Sequence, residues 1–374
     1  MHRSQEDFIN STLNNNLPFE GYPISQSSNL IIFQDFDDLI FFREAGCVLF
    51  SSVNSQDETT YIISTEIDME NFNTQKQQIT SAPTSCSLSS SEKIVHVNGV
   101  DICVETFGTL KNPAILLLAG GGSSMLFWED DFCQRLVLGP RFVIRYDYRD
   151  TGRSTCYEPG TAIYSLRDFA KDALGLLDSF GLTKAHLVGF SLGGGISQLI
   201  AVEHADRVAS MTLISSSPVG AYVGEPDLPS MSPEHGQKLA ASMPYDWGLK
   251  NMVTHSLVEH YRLCASPSHP FDTAEMTAQA SRIFDRSTSI QSMMNHGPIA
   301  FNRWERERLG EVTATTLVIH GSEDVVLPYP HGVMLSKEIS SGHLLTLPEV
   351  GHELPRRVWD VVLPAILMHT SSNE

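Results

Sequence analysis

Between residues 185 and 201 three local signals follow one another without a spacer. Ala185-His186-Leu187-Val188 is short and apolar, the pattern of a buried strand. Gly189-Phe190-Ser191-Leu192-Gly193 is a G-x-S-x-G turn. Gly194-Gly195-Ile196-Ser197-Gln198-Leu199-Ile200-Ala201 starts a helix. A strand that turns this sharply into a helix has no room for a Cβ at the flanking positions, which explains the glycines. The same turn lifts the Ser191 hydroxyl above the sheet edge. The chain must therefore place a buried strand in a sheet with a helix packed back against it.

The rest of the chain from Glu92 onward fits that demand. Ile94–Val97 and Val100–Thr106 predict a hairpin around Asn98-Gly99, a type I′ turn signal. Short apolar strands then alternate with amphipathic helices: Ala114–Ala119, Phe142–Tyr146, Ala185–Phe190, Ala209–Ile214, Thr315–His320 and Leu344–Leu347. One intervening helix opens at Ser165 with Asp168 three residues on, a box-like cap. Leu166, Phe169, Ala170, Ala173, Leu176, Leu177 and Phe180 follow helical spacing, and Gly181 ends it. Such alternation predicts an α/β fold, a mostly parallel eight-stranded sheet with helices on both faces.

The alternation breaks between Ser217 and about Arg308. Lys250–Cys264 and Thr273–Arg286 read as helices there, so residues 218–308 form a helical lid inserted into a core made of 92–217 and 309–374. Residues 1–91 are a Ser/Asn/Gln-rich N-terminal extension of unknown role. Its strand-like pieces (Leu30–Phe33, Leu39–Phe42, Val48–Phe50 and Tyr61–Ser64) predict a small appended β-hairpin or a partly disordered tail, with a turn at Arg43-Glu44-Ala45-Gly46 and a linker from Thr80 to Ser91.

Charge and cysteine usage exclude several classes. Lys and Arg number 25 against 44 Asp and Glu, a net charge of −19, which argues against nucleic acid and anionic membrane as partners. The six cysteines are scattered with no C-x-x-C, so neither a zinc site nor a redox pair is indicated. No signal peptide or membrane-spanning run is readable. Leu30–Phe42 is broken by Asp35, Asp37 and Asp38, and the expected compartment is the cytoplasm.

A serine nucleophile needs a base, and the base needs an acid. Among 14 histidines, His352 follows the last core strand, on the sheet edge where the Ser191 turn also emerges. Asp324 follows the strand Thr315–His320 on that same edge. Glu323 is its immediate rival, and Asp147, which also ends a strand, reads better as a turn residue. The charge that develops on an attacked carbonyl needs backbone N–H donors. Leu192 supplies one and the loop Gly120-Gly121-Gly122-Ser123-Ser124 the other, with Gly121 the candidate. This loop is not a phosphate cradle, because it lacks the G-x-x-x-x-G-K-[ST] spacing.

From about Glu92 to its end the chain resembles the α/β-hydrolase superfamily. The run Val143-Ile144-Arg145-Tyr146-Asp147-Tyr148-Arg149-Asp150-Thr151-Gly152-Arg153-Ser154 is similar to one in the aclacinomycin methylesterase-like branch, whereas commoner relatives carry R-G in place of Arg149-Asp150. Trp128 after the glycine loop and Tyr329-Pro330-His331-Gly332 after the acid also look like that branch. One departure is visible: many relatives open the glycine loop with His-Gly, and this chain has Ala119-Gly120. The resemblance implies Ser191 as nucleophile, His352 as base, Asp324 as acid, Gly121 and Leu192 as oxyanion donors, and neither a metal nor an organic cofactor.

The expected activity is hydrolysis of a carboxylic ester, a methyl ester or lactone of a small apolar molecule, through an acyl-enzyme. Trp247, Tyr261, Phe284 and Met293 are the candidates to line the lid side of the substrate pocket. A non-catalytic ligand-binding protein and a cofactor-free perhydrolase are the alternatives on the same residues. The sequence leaves the oligomeric state open.

Overall fold

The computed structural model describes residues 91–219, 228–299 and 306–371, together with the backbone of four short strands nearer the N-terminus. Those strands are β1 (Asn29–Ile32), β2 (Leu39–Glu44), β3 (Cys47–Asn54) and β4 (Asp57–Ile63). They pair antiparallel in the order β1-β2-β3-β4, a sheet of their own where the sequence predicts a hairpin. The expected linker and the turn residues Ala45 and Gly46 lie outside the described residues.

The main sheet has eight strands: β5 (Ser91–Val97), β6 (Val100–Gly108), β7 (Ala114–Leu118), β8 (Phe142–Tyr146), β9 (Ala185–Phe190), β10 (Val208–Ile214), β11 (Thr316–Gly321) and β12 (Gly342–Leu347). Their order is β12-β11-β10-β9-β7-β8-β6-β5. The β5–β6 and β6–β8 pairs are antiparallel and the others parallel. The hairpin turn predicted at Asn98-Gly99 carries positive φ at both residues, 46° and 76°, as a type I′ turn requires. β7, β8, β9 and β11 are buried along their whole length, so both faces of the sheet are covered.

The covering helices are α1 (Asp130–Val137), α2 (Leu166–Ser179), α3 (Leu192–Glu203), α7 (Pro330–Glu338) and α8 (Trp359–Ser371). At the start of α2 the Asp168 carboxylate accepts from the Ser165 backbone N–H at 2.8 Å and from its hydroxyl at 2.9 Å. Between β10 and β11 the sheet gives way to α4 (Pro233–Ala241), α5 (Lys250–Cys264), α6 (Thr273–Arg286) and a 3-10 stretch, Ile290–His296. The two longer of these helices have the bounds their apolar spacing predicts. Val253, Leu257, Val258, Ala280 and Ile283 from α5 and α6, with Leu126, form a small core of their own.

Candidate active site

β7 lies between β8 and β9, so the chain leaves β7 toward one side and returns on the other. Loops after the strands on either side of such a reversal open a crevice at their C-terminal ends. Leu118 pairs with Gly189, which brings the loop after β7 and the turn after β9 out of the sheet side by side.

The turn after β9 is as tight as its glycines imply. A Cβ on Gly189 would stand 2.3 Å from the Gly193 carbonyl oxygen, and one on Gly193 would stand 2.2 Å from that of Leu118. Backbone cannot yield as a flexible side chain would, so neither site admits alanine. Ser191 itself sits at φ 50°, ψ −114°, a strained conformation for a residue with a Cβ. It is held there from the end of β10 and the loop after it: the Ser191 N–H donates to Ile214 O at 2.9 Å, and the Ser216 hydroxyl donates to Ser191 O at 2.9 Å.

His352 and Asp324 meet Ser191 at this edge. The Ser191 hydroxyl lies 3.1 Å from His352 Nε2, and His352 Nδ1–H donates to Asp324 Oδ2 at 2.8 Å. The carboxylate fixes which nitrogen carries the proton, leaving Nε2 bare toward the serine. Asp324 is closed off from solvent, and its other oxygen accepts from the backbone N–H of Val326 at 2.9 Å and Leu327 at 2.7 Å. The chain order Ser, Asp, His thus becomes one hydrogen-bonded line.

The rival acids are engaged elsewhere. Glu323 accepts from the hydroxyls of Ser266 at 2.5 Å and Ser268 at 2.7 Å, which hold its carboxyl below the ordinary range. Asp147 accepts from the Met125 and Arg153 N–H groups at 2.8 and 2.9 Å and pairs with Arg286 at 2.7 Å. It braces the turn after β8, as its sequence position suggests.

Gly121 and Leu192 face one another across the crevice; a Cβ on Gly121 would lie 3.6 Å from Leu192 Cδ2. Among the described residues neither backbone N–H has a hydrogen-bond partner. The next two N–H groups in the glycine loop are engaged: Gly122 donates to His296 Nδ1 at 2.8 Å and Ser123 to Gly120 O at 3.2 Å.

A cavity of about 1180 Å³ opens over these groups. Ser191, His352, Gly121 and Leu192 lie in its wall with Phe127, Phe190, Val219 and Leu354 from the sheet side. From the helical segment come Met231, Leu239, His260, Tyr261, Phe271 and Met276. Of the four residues expected here, only Tyr261 lines this cavity. Trp247, Phe284 and Met293 pack on the small core between α5 and α6 instead. Helical spacing marks a buried face without saying whether a helix or a ligand covers it.

Three histidines escaped the sequence reading. His320 at the end of β11 donates from Nε2 to Leu327 O at 2.8 Å and stands 3.5 Å from Asp324 Oδ2. His260 faces the cavity from α5, and His296 joins the glycine loop to the turn after β8. Burial pushes the pKa of all three below the ordinary histidine value, which favours the neutral ring. His296 lies in an aperiodic 3-10 stretch, where no spacing rule singles it out.

One group of side chains has metal-like spacing. Ligand atoms of Glu92, Cys103 and Asp147 lie within 4.8 Å of one another. The Arg286 guanidinium bonds both carboxylates, and burial raises the Cys103 thiol well above its ordinary pKa. The charge of this cluster is already met by arginine, and the thiol does not offer a ready thiolate. No helix among the described residues is long and apolar enough to cross a membrane.

Residues 113–355 match the model of the alpha/beta hydrolase fold, and the chain belongs to that family. It is 29% identical over 295 residues to rhodomycin D methylesterase DauP of Streptomyces sp. (strain C5), covering 74% of this chain and 97% of the relative. It is 30% identical to rhodomycin D methylesterase DnrP of Streptomyces peucetius, covering 72% and 95%. Among solved structures, the 2-hydroxy-6-oxo-6-phenylhexa-2,4-dienoate hydrolase of Rhodococcus sp. strain RHA1 superposes with a TM-score of 0.61 at 22% identity, over 76% of this chain and 100% of that one. That likeness is one of fold.

Proposed function

We propose that this chain, a carboxylic-ester hydrolase by its family and its methylesterase relatives, works through an acyl-enzyme on Ser191. The observation that carries the reading is the line Ser191 Oγ–His352 Nε2, His352 Nδ1–Asp324 in the wall of a large cavity. Ser191 Oγ attacks the ester carbonyl carbon while His352 Nε2 takes the hydroxyl proton, and Asp324 stabilises the imidazolium. The oxyanion that forms is met by the N–H groups of Gly121 and Leu192, neither of which has a partner among the described residues. His352 returns the proton to the departing alkoxide, which leaves as the alcohol. Water then attacks the acyl group with His352 again as base, and the acid departs.

The helical segment within 218–308 acts as the lid and chooses the substrate. Pockets for drug-sized ligands run to about 1,000 Å³, so this cavity suits a bulky ester better than a short-chain one. Its largely apolar wall favours a methyl ester or lactone of an apolar molecule. The free thiols at Cys103, Cys133, Cys156 and Cys264 support a reducing compartment such as the cytoplasm.

Hydrolysis of p-nitrophenyl acetate and butyrate by the full chain and by Ser191→Ala is the test. The reading expects turnover from the first and a loss of about 10⁴-fold or more from the second. Equal, slow hydrolysis by both would leave a ligand-binding protein on this fold, and peracid formation from acetate and peroxide would mark a perhydrolase.

A further inference from the structure

The run Val143–Ser154, which carries the branch resemblance, contributes no reacting group to the site. Its atoms hold the glycine loop from behind. The Tyr148 hydroxyl donates to Ala119 O at 3.0 Å, where the loop leaves β7. The carbonyl of Arg149 accepts from His296 Nε2–H at 2.8 Å, and His296 Nδ1 accepts from the Gly122 N–H at 2.8 Å. One imidazole from the helical segment thus bridges the turn after β8 and the loop after β7. Ala119 has no polar side-chain atom to hold the loop from within.

The bridge is well built. His296 is 8% exposed, with the rings of Phe169, Tyr148 and Tyr164 around it at centroid distances of 5.2, 6.1 and 6.4 Å. Its neighbour Asn295 is fixed as well: Nδ2 donates to Asp150 Oδ2 at 3.1 Å and Oδ1 accepts from the Gly160 N–H at 2.7 Å. Only one form of the ring satisfies both of its bonds, bare at Nδ1 and protonated at Nε2. An imidazolium, or the other tautomer, would set an N–H against the Gly122 N–H. Burial favours the neutral ring.

We propose that His296 is a positioning residue for ester hydrolysis. As the neutral Nε2–H tautomer it holds the turn Gly120–Ser123 so that the Gly121 N–H stays aimed, beside that of Leu192, at the carbonyl oxygen of the substrate. The lid segment thereby helps assemble the oxyanion site as well as covering it. This rests on the acyl-enzyme reading above.

The effect belongs to the transition state, where the oxyanion forms, so it must appear in kcat. With p-nitrophenyl butyrate, His296→Leu is expected to lower kcat by about 30-fold or more with KM within about 3-fold. His296→Gln, whose amide oxygen and NH₂ replace acceptor and donor, is expected to recover kcat to within about 5-fold of wild type. The affinity of a trifluoromethyl ketone, which adds to the serine as an oxyanion, should fall in the leucine variant by the same factor as kcat. Equal losses in the glutamine and leucine variants, or a rise in KM with kcat kept, would overturn the proposal. Should the leucine variant not fold, long-range ¹H–¹⁵N spectra of the wild-type chain decide, with the His296 signal assigned through the glutamine variant. The bare-Nδ1 tautomer at neutral pH supports the role, and an imidazolium or Nδ1–H tautomer refutes it. Absence of ester turnover in the wild type would sink the acyl-enzyme reading itself, a different outcome from any of these.

Discussion

The backbone N–H of His352 donates to the carbonyl oxygen of Cys264 at 2.8 Å, tying the loop that carries the imidazole to the last turn of α5. Further links run beside it. The Ser266 N–H donates to Glu353 at 3.0 Å, and His269 pairs with Glu349 at 2.9 Å. With the Ser266 and Ser268 hydroxyls on Glu323, the residues after α5 are fastened to both loops that carry Asp324 and His352. The helical segment is therefore joined to the loops that carry Asp324 and His352.

Gly351 is where that junction is tightest. A Cβ there would stand 2.4 Å from Cys264 O and 2.6 Å from Ser266 N, both backbone atoms. Gly351→Ala must push the end of α5 and the His352 loop apart. We expect kcat/KM for p-nitrophenyl butyrate to fall about 10- to 100-fold, since a displacement of about 1 Å costs that much. Steady-state kinetics alongside a melting curve will show it; a loss under 2-fold would mean the junction is not coupled to the site.

The two adjacent acids give a second prediction. Asp324→Asn leaves the imidazole with the wrong tautomer and is expected to lower kcat by about 10⁴-fold. Glu323→Gln removes a charge that faces Ser266 and Ser268 and should leave kcat within about 3-fold. Comparable losses in both variants would show that the acid is not Asp324 alone.

Buried histidines set a pH dependence of stability. Burial lowers the His186 pKa to about 3 and that of His369 to about 4, from the ordinary 6.5. Their folded-state values are depressed, so the unfolded chain binds these protons first. The stability they contribute is complete above pH 6.5 and is lost as pH falls, down to about 4 for His369 and about 3 for His186, by up to about 1.4 kcal/mol per pH unit for each. His186→Gln should flatten the fall of the unfolding free energy between pH 6.5 and 4.5, measured by denaturant titration. An unchanged slope would show that His186 is charged in the folded state.

Much of this architecture was legible in the sequence. Gly189 and Gly193 pack against backbone, so their identity is forced by geometry that a motif can record. The order Ser191, Asp324, His352 was readable because each follows a strand, and strand ends converge on one edge. Asn98-Gly99 named its own turn. Trp247, Phe284 and Met293 were misplaced because an apolar stripe looks the same whether it meets a neighbouring helix or a ligand. His296 and His260 were missed as well. Gly122, the partner of His296, lies 174 residues away, and no local pattern encodes so distant a pairing; His260 sits on a helix whose spacing does not tell a cavity wall from a packed face.

That misplacement is itself testable. Phe284→Ala should cost about 2 kcal/mol or more of stability by opening the core between α5 and α6, with KM for a bulky ester within about 2-fold. Tyr261→Ala removes wall from the cavity and should raise that KM several-fold. A reversed pattern, in denaturation and in kinetics, would put the substrate between the helices and not above Ser191.

The most direct test of the account is where a fluorophosphonate attaches. The probe is captured by a serine whose hydroxyl is activated and whose oxyanion is stabilised. Peptide mass mapping of the inactivated full chain should find one adduct, on Ser191, formed in step with the loss of esterase activity and absent from Ser191→Ala. An inactivated enzyme with Ser191 unmodified, or an adduct on another residue that tracks the loss of activity, would contradict it.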